Sequence, residues 1–514
     1  MIYTRREILT DMLYSDFNAR RCHAKRKKEY NAPLTARALR DAFATCADFE
    51  TREVAFGLEK NVRVTVCWLD GIVSASDVSE AIISPLTQAA RAQAAKTEEQ
   101  ALYAVLHGAV YSCSAEECTE LDKAVDALTH GCCAVVFDAA ETAVCFEVRS
   151  DKARAVAEPT LEKALKGAKD SFVETLRVNT ALVRRRIATP KLKLVESTVG
   201  RKSATTVAIM FVDGVAAPET VAELASRLDR LDIDALLAVG ILEEAITDAP
   251  NSPFPQLAHT ERPDRFAMYL MDGRVGLLVD GIPVGLILPV TFAEFMKVTS
   301  DTTSHFLVAS GVAVLRYFSL ALSALLPAVY VAIAMYHQEM IPARLLLSII
   351  EAKRNVPFST ALEVLGMLVA FTLLQEAGLR LPNPIGDTVS IIGALIVGQS
   401  AVEARVVSPI AIIVVALSGI AGYTLPSQDL GSAVRLVRFA LVLAAVAAGL
   451  FGVAAVSALV VFSLSRIDSF GVNYTAPLSN GLPGGLIRLF WRTPKRRDKY
   501  RDPLLNTPDR RRQR

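Results

Sequence analysis

The chain has 514 residues, a hydrophobic fraction of 52% and a formal net charge of +2. This net charge by itself excludes no class of partner, but the apolar residues are unevenly distributed. About 200 residues near the C-terminus have the composition of a membrane domain. We therefore expect an integral membrane protein with a large water-soluble part, and a purely soluble enzyme is a poor first hypothesis.

The N-terminal sequence MIYTRREILTDML has charges spaced through it, so it does not read as a secretory signal. We expect residues 1–50 to form an N-terminal helical extension. All eight cysteines lie within the first 145 residues, and in the cytosol they should be reduced thiols. A metal site built from Cys113, Cys118, His107 and His130 would be contrived, because no pair of cysteines has zinc-type spacing. We expect no metal and no cofactor.

The soluble part contains an internal repeat. Residues 64–71 (VTVCWLDG) resemble residues 207–214 (VAIMFVDG). Residues 131–148 also align without gaps with residues 273–290. Each copy has an apolar strand that ends in Asp-Gly, then amphipathic helical sequence, then a β-hairpin. The repeat predicts a duplicated α/β module in the cytosol, with subdomain 1 at residues 51–160 and subdomain 2 at residues 161–300.

The aspartates of the repeat, Asp70, Asp213 and Asp280, are interpreted as turn residues, since Asp-Gly ends strands for conformational reasons. No histidine, serine or metal ligand accompanies them at a spacing typical of catalysis, so we predict no catalytic residue. An enzyme or nucleotide sensor would need a phosphate loop. Neither GxxxxGK[ST] nor a GxGxxG after a strand occurs in the chain.

Residues 172–187 join the two copies and have helical periodicity. This helix ends in three consecutive arginines, Arg184, Arg185 and Arg186. A run of this kind is usually a solvated helix end. Contact with acidic lipid or with a neighbouring subunit is the alternative.

The membrane part contains three long uncharged runs, at residues 317–336, 406–428 and 439–465. Each is long enough to cross ~30 Å of hydrocarbon as a helix. Two shorter runs, 364–375 and 388–402, are bounded by carboxylates and fit either half-helices and re-entrant loops or full spans whose end charges snorkel. We expect residues 301–480 to form a transmembrane domain of about four spans plus re-entrant or short helices, or of six crossings.

The basic tail directly follows this domain. Eleven Lys or Arg and three Asp lie between residues 488 and 514. The positive-inside bias and the attraction to anionic lipid place residues 481–514 in the cytoplasm, and we expect no nucleic-acid partner. With the N-terminus on the same side, the number of crossings should be even.

Polar residues in the membrane part are the candidates for function, because burying them in hydrocarbon is costly. Some lie within or beside the short runs, and the others lie in an amphipathic connector after the first span. The predicted pore or gate residues are Glu351, Arg354, Pro357, Glu363, Glu376, Gln399 and Glu403.

Several longer motifs carry a family resemblance. They include VGRKS (199–203), TERPDR (260–265), LLSIIEAKRNVPF (346–358), EAGLRLPNPIGDTVSIIGALIVGQSAVEA (376–404) and SFGVNYTAPL (469–478). On these residues the chain resembles the A subunit of the GerA family of spore germination receptors.

The resemblance implies a multi-pass protein of the spore inner membrane, with both termini in the cytoplasm. It implies a homo-oligomer that forms a nutrient-gated cation channel, together with a transporter-like B subunit and a lipoprotein C subunit. The SpoVAF-type sister group, which amplifies germination without sensing nutrient, is one alternative. A secondary transporter is another, although no inverted repeat is visible.

Overall fold

The computed structural model describes residues 30, 32–56, 62–89, 94–110, 114–148, 159, 162, 166–380, 398–478 and 489–513. The chain divides into two compact units. The first consists of the residues up to 154 together with 180–195. The second consists of residues 155–179 and all residues from 196 onward.

The first sheet has five strands, and each hydrogen-bonded pair is antiparallel. Its strands are β1 (Phe49–Phe56), β2 (Val62–Leu69), β3 (Ala115–Cys118), β4 (Cys132–Phe137) and β5 (Thr142–Glu147), in the order β1-β2-β4-β5-β3. The central strands β2, β4 and β5 are almost wholly buried. Continuous apolar strands need such cover. The predicted hairpin at residues 131–148 is β4 and β5.

The helices beside this sheet are short. They are α1 (Ala36–Ala42), α2 (Ala75–Val78), α3 (Ser84–Gln88), α4 (Glu98–Ala104) and α5 (Leu121–Thr129), with π-helical turns at Ser79–Ile83 and Val105–Ala109. In α5, Leu121, Ala124, Val125 and Leu128 are buried. Their spacing of three and four residues forms one apolar stripe, which belongs to the core of the first unit.

The second sheet repeats the first. Its elements are α6 (Leu176–Arg184), β6 (Leu192–Val199), β7 (Thr205–Val212), α7 (Pro218–Asp229), α8 (Val239–Ile246), β8 (Ala258–Thr260), α9 (Pro263–Asp272), β9 (Val275–Val279) and β10 (Gly285–Leu288). The strand order is β6-β7-β9-β10-β8, which is the order of the first sheet. The predicted duplication of an α/β module is therefore confirmed.

The repeat also preserves a helix cap. The Ala36 amide at the start of α1 donates to Asp138 Oδ1 at 2.7 Å, and the Leu176 amide at the start of α6 donates to Asp280 Oδ1 at 3.0 Å. A carboxylate here satisfies an amide that has no partner within the helix, and it opposes the helix dipole. Asp280 is thus more than a turn residue.

Arg184 corrects one prediction. It is 2% exposed and lies in the first unit, where its Nη2 donates to Asp48 Oδ1 at 2.6 Å and its Nε donates to Asp48 Oδ2. Asp48 is 1% exposed. A planar guanidinium matches a carboxylate with two parallel hydrogen bonds, so this arginine is a buried partner instead of a solvated helix end.

Long apolar helices follow. They are α10 (Thr299–Thr303), α11 (Phe306–Tyr336), α12 (Ala343–Lys353), α13 (Thr360–Arg380), α14 (Pro409–Tyr423) and α15 (Gln428–Ser465), and then come the two short strands β11 (Asp468–Ser469) and β12 (Val472–Asn473). Turns of 3-10 helix lie at Phe292–Met296, Gln338–Met340, Lys495–Arg497 and Pro503–Leu505. In the described residues, α11, α15 and residues 360–378 of α13 are long and apolar enough to cross a membrane. The expected fold class, a duplicated α/β module followed by an α-helical membrane domain, is confirmed.

The spans differ from the uncharged runs. The short run 364–375 lies inside α13, whose 21 residues extend over about 32 Å, so its length fits a full span better than a half-helix. The long run 406–428 contains only the 15 residues of α14, or about 22 Å, because Ser408 caps its start and a new helix begins after Ser427. The run 388–402 lies outside the described residues except for 398–402.

Helix α15 is a helical hairpin. Ala448 and Gly449 leave helical geometry, with φ and ψ of 59° and −142° at Gly449. A Cβ placed on Gly452 would lie 2.2 Å from the Ala444 carbonyl oxygen, although residues eight apart in a continuous helix are about 12 Å apart. The chain must therefore reverse between them.

The ends of α15 confirm the reversal. Asp429 lies 3.4 Å from His259, while Ser469, just beyond the helix, donates to the Gln256 carbonyl at 3.4 Å. A straight helix of 38 residues would separate its ends by about 57 Å. The run 439–465, predicted as one span, is thus divided between two legs of about 30 Å and about 24 Å.

We predict that Gly449→Ala lowers the thermal midpoint of the detergent-solubilised protein, with a cost of about 1–3 kcal/mol. The backbone angles of Gly449 exclude other residues, and an added Cβ would lie 3.2 Å from Tyr336 and His337. Gly431→Ala is the control, since nothing lies within 4 Å of its Cβ position in the same helix. Equal midpoints for the two variants would contradict the hairpin.

Candidate functional site

Glu363 forms the centre of a buried polar cluster at the start of α13. Its side chain is fully buried, with Lys353 Nζ 3.3 Å from Oε1. The Ser408 amide donates to Oε2 at 3.0 Å, and Lys353 also donates to the Thr360 hydroxyl. One carboxylate thus joins the end of α12 and the starts of α13 and α14. These starts lie together, so α13 and α14 run in the same direction.

A second cluster surrounds Arg438, which is 4% exposed. Its Nη2 donates to Ser323 Oγ on α11 at 2.6 Å, and Ser418 Oγ on α14 donates to the Ser323 carbonyl at 3.0 Å. Gly422 leaves room for the guanidinium, because a Cβ there would lie 3.3 Å from Nη2. A charge at this depth is costly and tends to be retained for function.

Sequence analysis missed Arg438 as a site residue. It directly precedes the uncharged run 439–465, and a span that is defined by its uncharged residues leaves it out. The helix instead begins at Gln428, so Arg438 lies ten residues inside it. Arg316 also lies inside a longer helix, α11, next to the start of its uncharged run, and its Nη2 donates to Asp301 Oδ1 at 2.9 Å.

The predicted pore or gate residues do not form one cluster. Glu363 is buried as described, and its pairing with Lys353 was not foreseen. Glu351, Arg354 and Pro357 are exposed around the link between α12 and α13, and α12 already ends at Lys353. Glu376, Gln399 and Glu403 are exposed on helical segments, and Glu376 lies about 20 Å along α13 from Glu363.

His259 connects the second α/β subdomain to the membrane helices within the second unit. From β8, its Nε2 lies 2.7 Å from Glu243 Oε1 on α8, and its Nδ1 lies 3.4 Å from Asp429 Oδ2 at the start of α15. Burial by itself would lower the pKa of His259, but hydrogen bonds to Asp429 and Glu243 outweigh it and raise that pKa to about 9. The imidazolium therefore holds two carboxylates from different elements.

The chain matches a family model over residues 37–504, and that model describes the Bacillus/Clostridium GerA spore germination protein. The match spans both copies of the α/β module and the membrane helices. The chain belongs to the GerA family. The resemblance inferred from the sequence motifs is therefore confirmed.

Individual relatives agree with this membership. Spore germination protein KA of Bacillus subtilis is 35% identical over 88% of this chain and 83% of its own length. Spore germination protein GerLA of Bacillus cereus is 31% identical over 92% of this chain and 95% of its own. The uncharacterized membrane protein YfkQ of Bacillus subtilis is 34% identical over 90% and 86%.

One solved structure is also similar to part of the chain. It is the N-terminal domain of the A subunit of the Bacillus megaterium spore germinant receptor GerK3, with 26% identity and a TM-score of 0.41. The alignment covers 51% of this chain and 96% of that domain.

We predict that Glu363→Ala destabilises this GerA-family protein by about 1–3 kcal/mol, because it leaves the buried Ser408 amide without its acceptor and the half-buried Lys353 without its carboxylate. Glu363→Gln should cost less, since the amide oxygen still accepts from Ser408. Thermal midpoints in detergent measure both. Glu351→Ala, at an exposed site twelve residues earlier, is the control and should fall within about 0.5 kcal/mol of the unchanged protein. The opposite ranking would show that Glu363 does not organise these helix starts.

We predict that the His259 contacts weaken as the pH rises. The pKa of His259 is raised in the folded protein, so its stabilisation is complete below about pH 6.5 and is lost as the pH passes about 9. The thermal midpoint should fall over this interval, and His259→Gln should flatten the fall. His130→Gln removes an exposed imidazole and should leave the fall of the thermal midpoint unchanged. A fall of the same size in His259→Gln would contradict the assignment.

Proposed function

We propose that this chain is the A-type subunit of a spore germination receptor, and that several copies assemble into a nutrient-gated ion channel in the inner membrane of the spore. Membership of the GerA family supports the receptor role. The channel is supported by the polar groups of the membrane helices, which are of two kinds, buried and exposed.

The exposed polar groups carry the proposal. Glu376, Gln399 and Glu403 lie on the surface of the single chain, within a region whose other exposed residues are largely apolar. The exposed part of each side chain faces lipid, water or another subunit. A charge facing hydrocarbon costs on the order of 2.5–3.5 kcal/mol at a helix centre. An ion path between copies of the chain would give these groups water instead.

The second leg of α15 fits such an assembly. Its residues from Ala454 onward are largely exposed and include Leu459, Val461 and Phe462. Lipid or a neighbouring copy would cover this apolar surface. The link around Pro357 lies after the far end of α11, where it could act as the gate, and the transporter-like B subunit and lipoprotein C subunit would supply the nutrient signal.

We also propose that both termini face the cytoplasm. The segment before α11 and the strands after α15 both pack within the second unit, since the Phe292 amide donates to the Tyr474 carbonyl at 2.8 Å. This contact supports a chain that enters and leaves the membrane region on one side. The basic tail favours the cytoplasmic side.

Cation release from liposomes tests the channel. We expect liposomes that hold this chain with its B and C subunits to release cations when nutrient is added. The double variant Glu376→Gln with Glu403→Gln should slow the release several-fold, because the path loses two carboxylates. Glu219→Gln with Glu244→Gln, two exposed carboxylates of α7 and α8, should leave it unchanged.

Three results would contradict the proposal. If liposomes that contain all subunits release no ions when nutrient is added, the chain does not form a channel. Saturable uptake of nutrient by a single copy would indicate a transporter. Release that needs neither partner nor nutrient would assign the chain to the SpoVAF-type amplifiers.

A further inference from the structure

A cavity of about 760 Å³ lies within the second unit, where the α/β subdomain, the start of α11 and the C-terminal tail meet. Its lining includes Arg274 from the subdomain, Ala309 and Ala313 from α11, and residues of the tail from 489 to 512. Nine Lys or Arg and five Asp or Glu line it, so the wall carries a surplus of positive charge.

Several of these cations hold the cavity together. Arg512 lies 2.6 Å from Asp272 and 3.1 Å from Asp498, and Arg501 donates to the Met271 carbonyl at 2.9 Å. Arg492 donates to the Ser304 carbonyl at 2.8 Å, which caps the end of α10. The tail is therefore folded onto the subdomain, and these guanidinium groups are already engaged.

Three other cations of the lining are not engaged. Within the described part of the chain, the side chains of Arg497, Lys499 and Arg510 make neither a hydrogen bond nor an ion pair, and all three are exposed. They border a cavity whose acidic groups have partners, including Glu294, which lies 2.7 Å from Lys297 and 3.2 Å from Arg274. The surplus charge is available to an anion.

Two aromatic side chains of the cavity wall contact α11. Phe490 and Trp491 in its wall pack on α11, with ring centroids 5.0 Å from Tyr317 and 6.2 Å from Phe306. The uncharged stretch of α11 begins at Tyr317. Tryptophan and tyrosine concentrate at the boundary between hydrocarbon and water, which is also where lipid headgroups lie.

We infer that this cavity binds the phosphate group of an anionic phospholipid. Arg497, Lys499 and Arg510 would contact the phosphate, and Phe490 and Trp491 would lie beside the first carbons of the acyl chains. A guanidinium and an ammonium both suit phosphate oxygens. The inference requires only that α11 enters the membrane near Tyr317, and it stands whether or not the protein conducts ions.

The test uses the purified full-length chain in a neutral detergent with dioctanoyl phosphatidylglycerol as the probe. A ligand that binds only the folded protein raises the thermal midpoint with its concentration. We expect a saturable rise with this lipid and none with dioctanoyl phosphatidylcholine. The triple variant R497Q/K499Q/R510Q should need roughly tenfold to a hundredfold more lipid for half the rise. The triple R37Q/R52Q/R63Q changes three exposed arginines that are not part of the lining, and it should behave as the unchanged protein.

Further measurements identify the source of the phosphate and separate a loss of binding from a failure to fold. An equal rise with inorganic phosphate at the same concentration would assign the site to a soluble anion and overturn the lipid. An unchanged response in the triple variant, or an equal response to phosphatidylcholine, would also overturn it. Size-exclusion profiles show whether the triple variant folds, and Lys499→Glu alone should weaken the response if it does not.

Discussion

Hydrocarbon offers no hydrogen bonds, and this constraint governs the membrane half of the protein. A charge that is buried inside the helix bundle needs a partner within the chain. Glu363 meets Lys353 and the Ser408 amide, Arg316 meets Asp301, and Arg438 meets Ser323. These contacts join α10 to α11, α11 to α15, and α12 to α13 and α14, so the arrangement of the helices follows from where the buried polar groups find their partners.

Helix α15 is held to the α/β subdomain at both of its ends. His259 reaches Asp429 at the start of α15, and the strands after α15 contact the loop before β8 through Ser469 and Gln256. The hairpin of α15 makes this possible, because it brings back a helix that would otherwise end on the far side. A change in the subdomain would therefore act on both legs of α15, and the channel proposed above requires such a coupling.

The candidate site was predictable only in part. Periodicity and the uncharged runs identified the polar residues of the membrane part. Glu363 proved to be buried, as expected for a carboxylate whose exposure to hydrocarbon would be costly. Arg438 was missed because a charge beside an apolar run looks like the end of a span. A partner such as Ser323 lies 115 residues away in the chain, and no local pattern shows that it is present.

The sequence by itself determined the class of the fold, the duplication and the family, because these depend on residue patterns that repeat along the chain or match a known series. Asp138 and Asp280 occupy equivalent positions in the repeat, and both cap a helix in the structure. Only the tertiary structure decided where each span begins and reverses, and which cations of the tail remain unengaged. These features depend on contacts between distant residues, and neither charge nor hydropathy of one segment reveals whether another segment neutralises it.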